Sequence, residues 1–273
     1  MSAVDIHAGP LGEVRRAGAA SGVALTTTAA ITAFPAGTTY LTLLPRNAAT
    51  AVVVRYALNP YLVVLKATDL LATIAAITDV SENMQDADTA TLLTLDSFNT
   101  IANLDAIYVG SHIPFRGVDV VGGNFNGTSS VLTVKYWNGS SWTDISDTDG
   151  TISSGATFGQ NGQVTWTLPS AWVARTLVDI GDATPLGGLH LADPLYWTRW
   201  EVSVALDSSV TVTAMLALNR STNYAEFPVN IGKELRVHKG RGGIGCIEAL
   251  TNAGTANLVI EAAALGVGGK FKD

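Results

Sequence analysis

Cysteine is almost absent from this chain, and Cys246 stands alone. A single thiol excludes an intrachain disulfide and any zinc cluster built on several cysteines. Charge is scarce too. Of the 273 residues only 14% are Asp, Glu, Lys or Arg, against about a quarter in an ordinary soluble domain. The 23 acidic side chains outnumber the 16 basic ones and leave a net charge of -7. Without a run of Lys or Arg there is no concentrated basic face for phosphate, so nucleic acid is not an expected partner. No stretch of about eighteen apolar residues is available to span a bilayer, and no membrane partner is expected. The opening MSAVDIHAGPLGEVRRAG lacks the apolar centre of a signal peptide, so the expected place of synthesis is a reducing cytoplasm.

What is abundant points to strands. Hydrophobic residues make up 47%, and the 27 glycines come with much Thr, Ser, Ala and Val, a composition of short strands and turns. The clearest stretch is 129–150, SSVLTVKYWNGSSWTDISDTDG. Val131, Thr133, Lys135 and Trp137 fall on one side of a period of two, and Leu132, Val134 and Tyr136 on the other, which is a strand with one face against a core. Asn138-Gly139 accepts positive φ cheaply and reverses the chain. Trp142 to Ile145 resumes the alternation and completes a hairpin. Before it, strands are expected over 23–28, 40–44, 51–58, 61–66, 91–95, 106–109 and 117–121, and after it over 163–168, 196–206 and 209–218. Asn59-Pro60 interrupts the run 51–66, because proline cannot donate to a central ladder. Leu70, Leu71, Ile74 and Ile77 fit either a short helix or a buried strand. The polar stretch 78–89, TDVSENMQDADT, reads as a linker.

All six tryptophans lie between Trp137 and Trp200, which marks one aromatic-rich region with Trp-free flanks. The flanks resemble each other: LLPRNAATAVVVRYAL at 43–58 and EALTNAGTANLVIEAAAL at 248–265 each pair a short and a long apolar strand about an Asn-containing turn. Two hairpins of one kind at opposite ends suggest a sandwich built from both termini. The expected fold is all-β, with two jelly-roll-like β-sandwich domains, one inserted in the other. Residues 1–22 would be an N-terminal arm, 23–80 plus 219–273 the terminal domain, and 81–218 the tryptophan-rich domain. Arg15 and Arg16 in the arm are candidate assembly contacts.

Chemistry-bearing motifs are weak. Gly240-Arg241-Gly242-Gly243-Ile244-Gly245 spells a dinucleotide fingerprint, but no helix can open behind it, since Thr251-Asn252-Ala253-Gly254 breaks the chain. The reading is a glycine-rich turn. Asp144, Asp147 and Asp149 before Gly150 resemble part of a calcium loop, yet aligned on Gly150 the first ligand position falls on Ile145. Turn-stabilising aspartates are the expectation. His190 lies near Asp179, Asp182 and Asp193 in a loop with no periodic framework to make them converge. His7, His112 and His238 are isolated, and no serine sits in a GxSxG elbow. Three glycosylation sequons, at Asn126, Asn138 and Asn219, read as turns. Trp137 and Trp142 offer flat apolar faces that suit sugar rings; for the same residues the other reading is that they staple two sheets together. No catalytic residue, cofactor or metal is expected.

The run Tyr108-Val109-Gly110, Pro114-Phe115-Arg116-Gly117, Tyr136-Trp137-Asn138-Gly139 to Trp142, Trp166 to Pro169 with Trp172, and Tyr196-Trp197-Thr198-Arg199 resembles a module of tailed-bacteriophage virion proteins. The likeness spans roughly 106–206. It implies a β-sandwich from a head-decoration, tail or fibre protein, which assembles symmetrically and is not an enzyme. The expectation that follows is a capsid decoration or cement protein made in the bacterial cytoplasm and located in the virion. Its partners would be itself, as a homo-oligomer and specifically a trimer, and the major capsid protein or other virion proteins. The alternative is a tail, baseplate or fibre component, or an adhesion module that holds a host surface glycan. Low charge favours assembly, because closed symmetry is the usual way to cover apolar area.

Overall fold

The computed structural model describes residues 11–17, 21–34, 38, 40–46, 52–86, 88–96, 98–180, 193–219, 224–228, 235–238 and 244–265. The fold is all-β. In chain order the strands begin with β1 (Leu11–Ala17), β2 (Val23–Leu25), β3 (Ala30–Ala33), β4 (Tyr40–Arg46), β5 (Val53–Pro60), β6 (Val63–Ala67) and β7 (Ile77–Asp79). They continue with β8 (Leu93–Thr94), β9 (Ala106–Ser111), β10 (Gly117–Asn124), β11 (Leu132–Trp137), β12 (Trp142–Asp144), β13 (Thr148–Asp149), β14 (Gly162–Thr165), β15 (Tyr196–Val202) and β16 (Thr211–Ala217). The last four are β17 (Ala225–Pro228), β18 (Leu235–His238), β19 (Ile244–Thr251) and β20 (Ala256–Leu265). One short helix, α1 (Leu177–Ile180), and two 3₁₀ turns complete the regular structure among the described residues. The chain divides into two compact units, one of Met1–Asn59 with Ser221–Asp273 and the other of Pro60–Arg220.

The first unit has one sheet in the order β1-β20-β4-β18, with β2 also on β20, and a second in the order β17-β5-β19-β3. Leu41, Leu43, Leu258, Ile260 and Ala262 from the first pack with Val54, Ile247 and Ala249 from the second, so the two sheets face each other across one core. The two similar flanking segments are not hairpins. β4 pairs β20 while β5 neighbours β19, so each segment crosses from one sheet to the other and the two segments pair with each other. The same Asn turn serves a hairpin or a crossing; here each crossing puts one strand of its segment in either of the two facing sheets. Asn252 helps to hold it, with its N–H donated to Val53 O and its Oδ1 accepting the Val53 N–H at 2.7 Å. The expected arm is also different. Residues 11–17, with Arg15 opposite Ala262 and Arg16 opposite Glu261, form a strand on β20. That strand needs backbone pairing rather than an apolar period, which is why LGEVRRA did not read as one. Residues 1–10 lie outside the described residues.

The second unit pairs a sheet of order β13-β14-β10-β16-β8 with one of order β12-β11-β15-β9-β6-β7. Val64, Ile107, Val109, Val134 and Trp200 from the six-stranded sheet meet Val118, Val120, Val164, Val212 and Met215 from the other. The segment 61–80, grouped above with the terminal strands, supplies β6 and β7 here, because β6 pairs β9 from Val63↔Gly110 to Ala67↔Ala106. The polar stretch 78–89 is not a linker. Met84 is fully buried in this core, and the Gln85 side chain accepts the Leu62 N–H and donates to Leu62 O as a strand neighbour would.

The central strands of the six-stranded sheet, β6, β9 and β15, are largely buried on both faces. Its outer face carries Val63, Leu65, Ala67, Ala106, Tyr108 and Trp197, covered by Leu71, Leu177, Ile180 and Leu195. All six residues of β9 are therefore buried, and the period of two disappears from its burial as it must when both faces are covered.

Candidate functional site

The candidate site lies on that outer face. The register Trp137↔Trp142 closes the β11–β12 hairpin, and Lys135↔Arg199 and Arg199↔Tyr108 place those three side chains in one row across β11, β15 and β9. The turn is held by Asn138, whose Oδ1 accepts the Ser140 and Ser141 N–H groups and whose Nδ2 donates to Thr143, while Gly139 takes φ 103°. Tyr108, Trp137, Trp142 and Arg199, together with Leu70, Asp179 and Ile180, line a pocket of about 260 Å³.

Its walls are aromatic. Trp137 and Trp142 stand edge to face at 5.5 Å and 70°, and Tyr108 meets Trp142 at 5.7 Å and 61°. The Arg199 guanidinium lies 5.0 Å from the centre of the Trp142 ring, a cation–π contact. Its Nε and Nη2 both donate to Glu201 Oε1 at 2.7 Å, and Lys135 Nζ donates to Glu201 Oε2 at 2.9 Å, so the buried carboxylate is paired from two sides. Leu70 and Leu71 enter with consecutive left-handed backbones, φ 55° and 67°, an uncommon conformation for leucine. Asp69 holds this turn by accepting the Ala72 and Thr73 N–H groups.

Trp137 and Trp142 thus fall together, as half-buried members of the outer layer. They do not staple the two sheets, and being edge to face they are not a coplanar platform. Tyr108, Arg199, Leu70, Asp179 and Ile180 escaped sequence reasoning as site residues. For Arg199 a signal existed, since Trp197 and Arg199 are two apart and share a face.

The other motifs resolve as local structure. Ser146 N–H is accepted by Asp144, Val134 N–H by Asp147, and Thr151 N–H and Oγ1 by Asp149, and among the described residues no group of three or more His, Cys, Asp or Glu is placed to hold a metal. Burial pushes the Asp147 carboxyl above the usual carboxylate range, opposed by the Val134 N–H and reinforced by Asp149 and Asp144. A raised folded-state value means that stability falls as pH rises from about 4 through that value. Asp147→Asn keeps an oxygen for the Val134 N–H without the charge. It is expected to be more stable than the wild type in urea at neutral pH, with a flatter pH dependence; equal or lower stability there would contradict this.

Asn126 is buried, with Nδ2 donated to Thr128 O, Ser130 Oγ and Thr157 O and Oδ1 accepting Thr128 and Asp207 N–H groups, which leaves no amide free for a glycan. Gly240–Gly243 and the loop with Asp182 and His190 lie outside the described residues, as do His7 and the residues after Asn219 in its sequon; Ile244–Thr251 is a strand, so no helix opens there. His112 is exposed. Comparison with known protein families, curated proteins and solved structures finds no match.

Proposed function

We propose that this chain is a non-enzymatic structural protein of a tailed-bacteriophage virion, acting as a capsid decoration or cement protein through subunit contacts. The observation that carries the reading is the use made of the residues behind the resemblance. Gly110 faces the Trp197 ring, Phe115 packs on Trp166 and Trp172, Asn138 and Gly139 form the turn, and Trp166 and Trp172 donate to Phe115 O and Trp197 O. These are the framework of one sandwich, so the likeness runs to an architecture rather than a reaction centre. Exposed apolar side chains at Phe125, Val131 and Val204 supply surface of the kind that subunit contacts cover. A homotrimer suits a three-fold site on a capsid lattice, with Arg15 and Arg16 on β1 as assembly contacts.

Quantitative mass spectrometry of purified virions tests this. The expected result is a copy number in icosahedral multiples, with a trimeric mass for the isolated protein in light scattering. A few copies per particle would move the protein to the tail, baseplate or fibre. A monomer at high concentration that never co-purifies with particles would end the virion reading.

A further inference from the structure

We infer that the pocket on the outer face of the six-stranded sheet binds one neutral hexopyranose ring, the terminal sugar of a glycan. Of the six indole N–H groups, four are satisfied internally: Trp166 by Phe115 O at 2.8 Å, Trp172 by Trp197 O at 3.1 Å, Trp197 by Arg175 O at 2.9 Å and Trp200 by Thr198 Oγ1 at 3.0 Å. The two without an acceptor among the described residues are Trp137 and Trp142, the pair that lines the pocket. That of Trp137 is shut off from solvent and unpaired, a state a folded protein rarely leaves uncompensated.

The remaining polar groups narrow the ligand. Arg199 spends Nε and Nη2 on Glu201, and Nη1 has no acceptor among the described residues. Asp179 uses Oδ2 for the Thr176 N–H and hydroxyl, which leaves Oδ1 as an open acceptor. An anion would be drawn by the donors but repelled by Asp179; a cation would be drawn by Asp179 but repelled by Arg199. A neutral ring with hydroxyls that both donate and accept satisfies all of them, and its C–H groups meet the aromatic walls. The volume of about 260 Å³ lies just below the roughly 300–1,000 Å³ of sites for drug-sized ligands, which suits one ring rather than an oligosaccharide. This assignment does not depend on the virion reading.

The test is an NMR titration of the full chain, following the indole ¹H–¹⁵N signals, with methyl glycosides of glucose, galactose and N-acetylglucosamine. Trp137→Phe and Trp142→Phe assign the two pocket signals. For at least one glycoside those two are expected to move saturably, with half-saturation on the order of 1 mM, while the other four stay. Asp179→Asn keeps an oxygen for Thr176 but turns the open acceptor into a donor, and is expected to weaken binding about tenfold. The assignment is overturned if no glycoside moves either signal at roughly ten times that concentration, if Asp179→Asn binds unchanged, or if inorganic phosphate saturates the site in preference to every sugar.

Discussion

Replacing Trp166 by alanine is expected to destabilise the second unit by about 3–5 kcal/mol. Trp166 follows β14. Its backbone N–H donates to Arg116 O at 2.8 Å and its indole N–H to Phe115 O, and these bonds hold the ring in the core of the second unit. There it meets Phe115 at 5.5 Å, Trp172 at 6.5 Å and Trp200 at 6.4 Å, each near edge to face. Alanine removes the shared member of these three pairs and leaves a cavity walled by other rings, two of which, Trp172 and Trp200, cannot collapse far because their indole N–H groups are tied to Trp197 O and Thr198 Oγ1. It also strips the Phe115 carbonyl of its indole donor. Trp166→Phe keeps an aromatic ring in the core but removes the donor, and about 1–3 kcal/mol is expected for that loss together with the smaller ring. All six tryptophans belong to the unit Pro60–Arg220, so indole emission during urea unfolding reads that unit alone. A change within about 0.5 kcal/mol of wild type, the range of ordinary surface substitutions, would place Trp166 outside the core.

That core was legible because its determinants are local. The alternation of 131–137, the Asn138-Gly139 reversal and the confinement of the tryptophans are all properties of neighbouring residues, and β10, β11, β15 and β16 form where the pattern places strands. What did not show in the sequence depends on pairing between distant segments. Leu62 to Ala67 is equally apolar whichever sheet receives it, and nothing local distinguishes a partner at 106–111 from one in the terminal strands. Gln85 and Ser81 look like linker residues until their side chains are seen pairing with Leu62 and Val64. The candidate site has the same origin. Trp137 and Trp142 could be named as a pair because the hairpin joins them, whereas Tyr108, Arg199 and Asp179 arrive from β9, β15 and α1 through strand register and the covering layer.

Gly110→Ala is expected to cost about 2–3 kcal/mol, at the upper end of overpacking losses. Gly110 lies opposite Trp197 in the β9–β15 register, and a Cβ built on it would stand 2.6 Å from two atoms of the Trp197 ring. The ring has little room to yield. Trp197 is fully buried, its Nε1 donates to Arg175 O, and its own carbonyl accepts the Trp172 indole N–H. Rotating the ring breaks the first of these bonds; shifting β15 strains the second and the ladder to β9 and β11. The glycine of the Tyr-x-Gly motif is therefore there for close approach and not for an unusual backbone angle. A double-mutant cycle separates this account from a general dislike of alanine in β9. In a Trp197→Ala background the added methyl meets empty space, and the cost of Gly110→Ala is expected to fall to within about 0.5 kcal/mol of zero, or to become a gain as the methyl fills part of the cavity. A cost that persists undiminished without the Trp197 ring would mean that the glycine answers to something other than the indole packed against it.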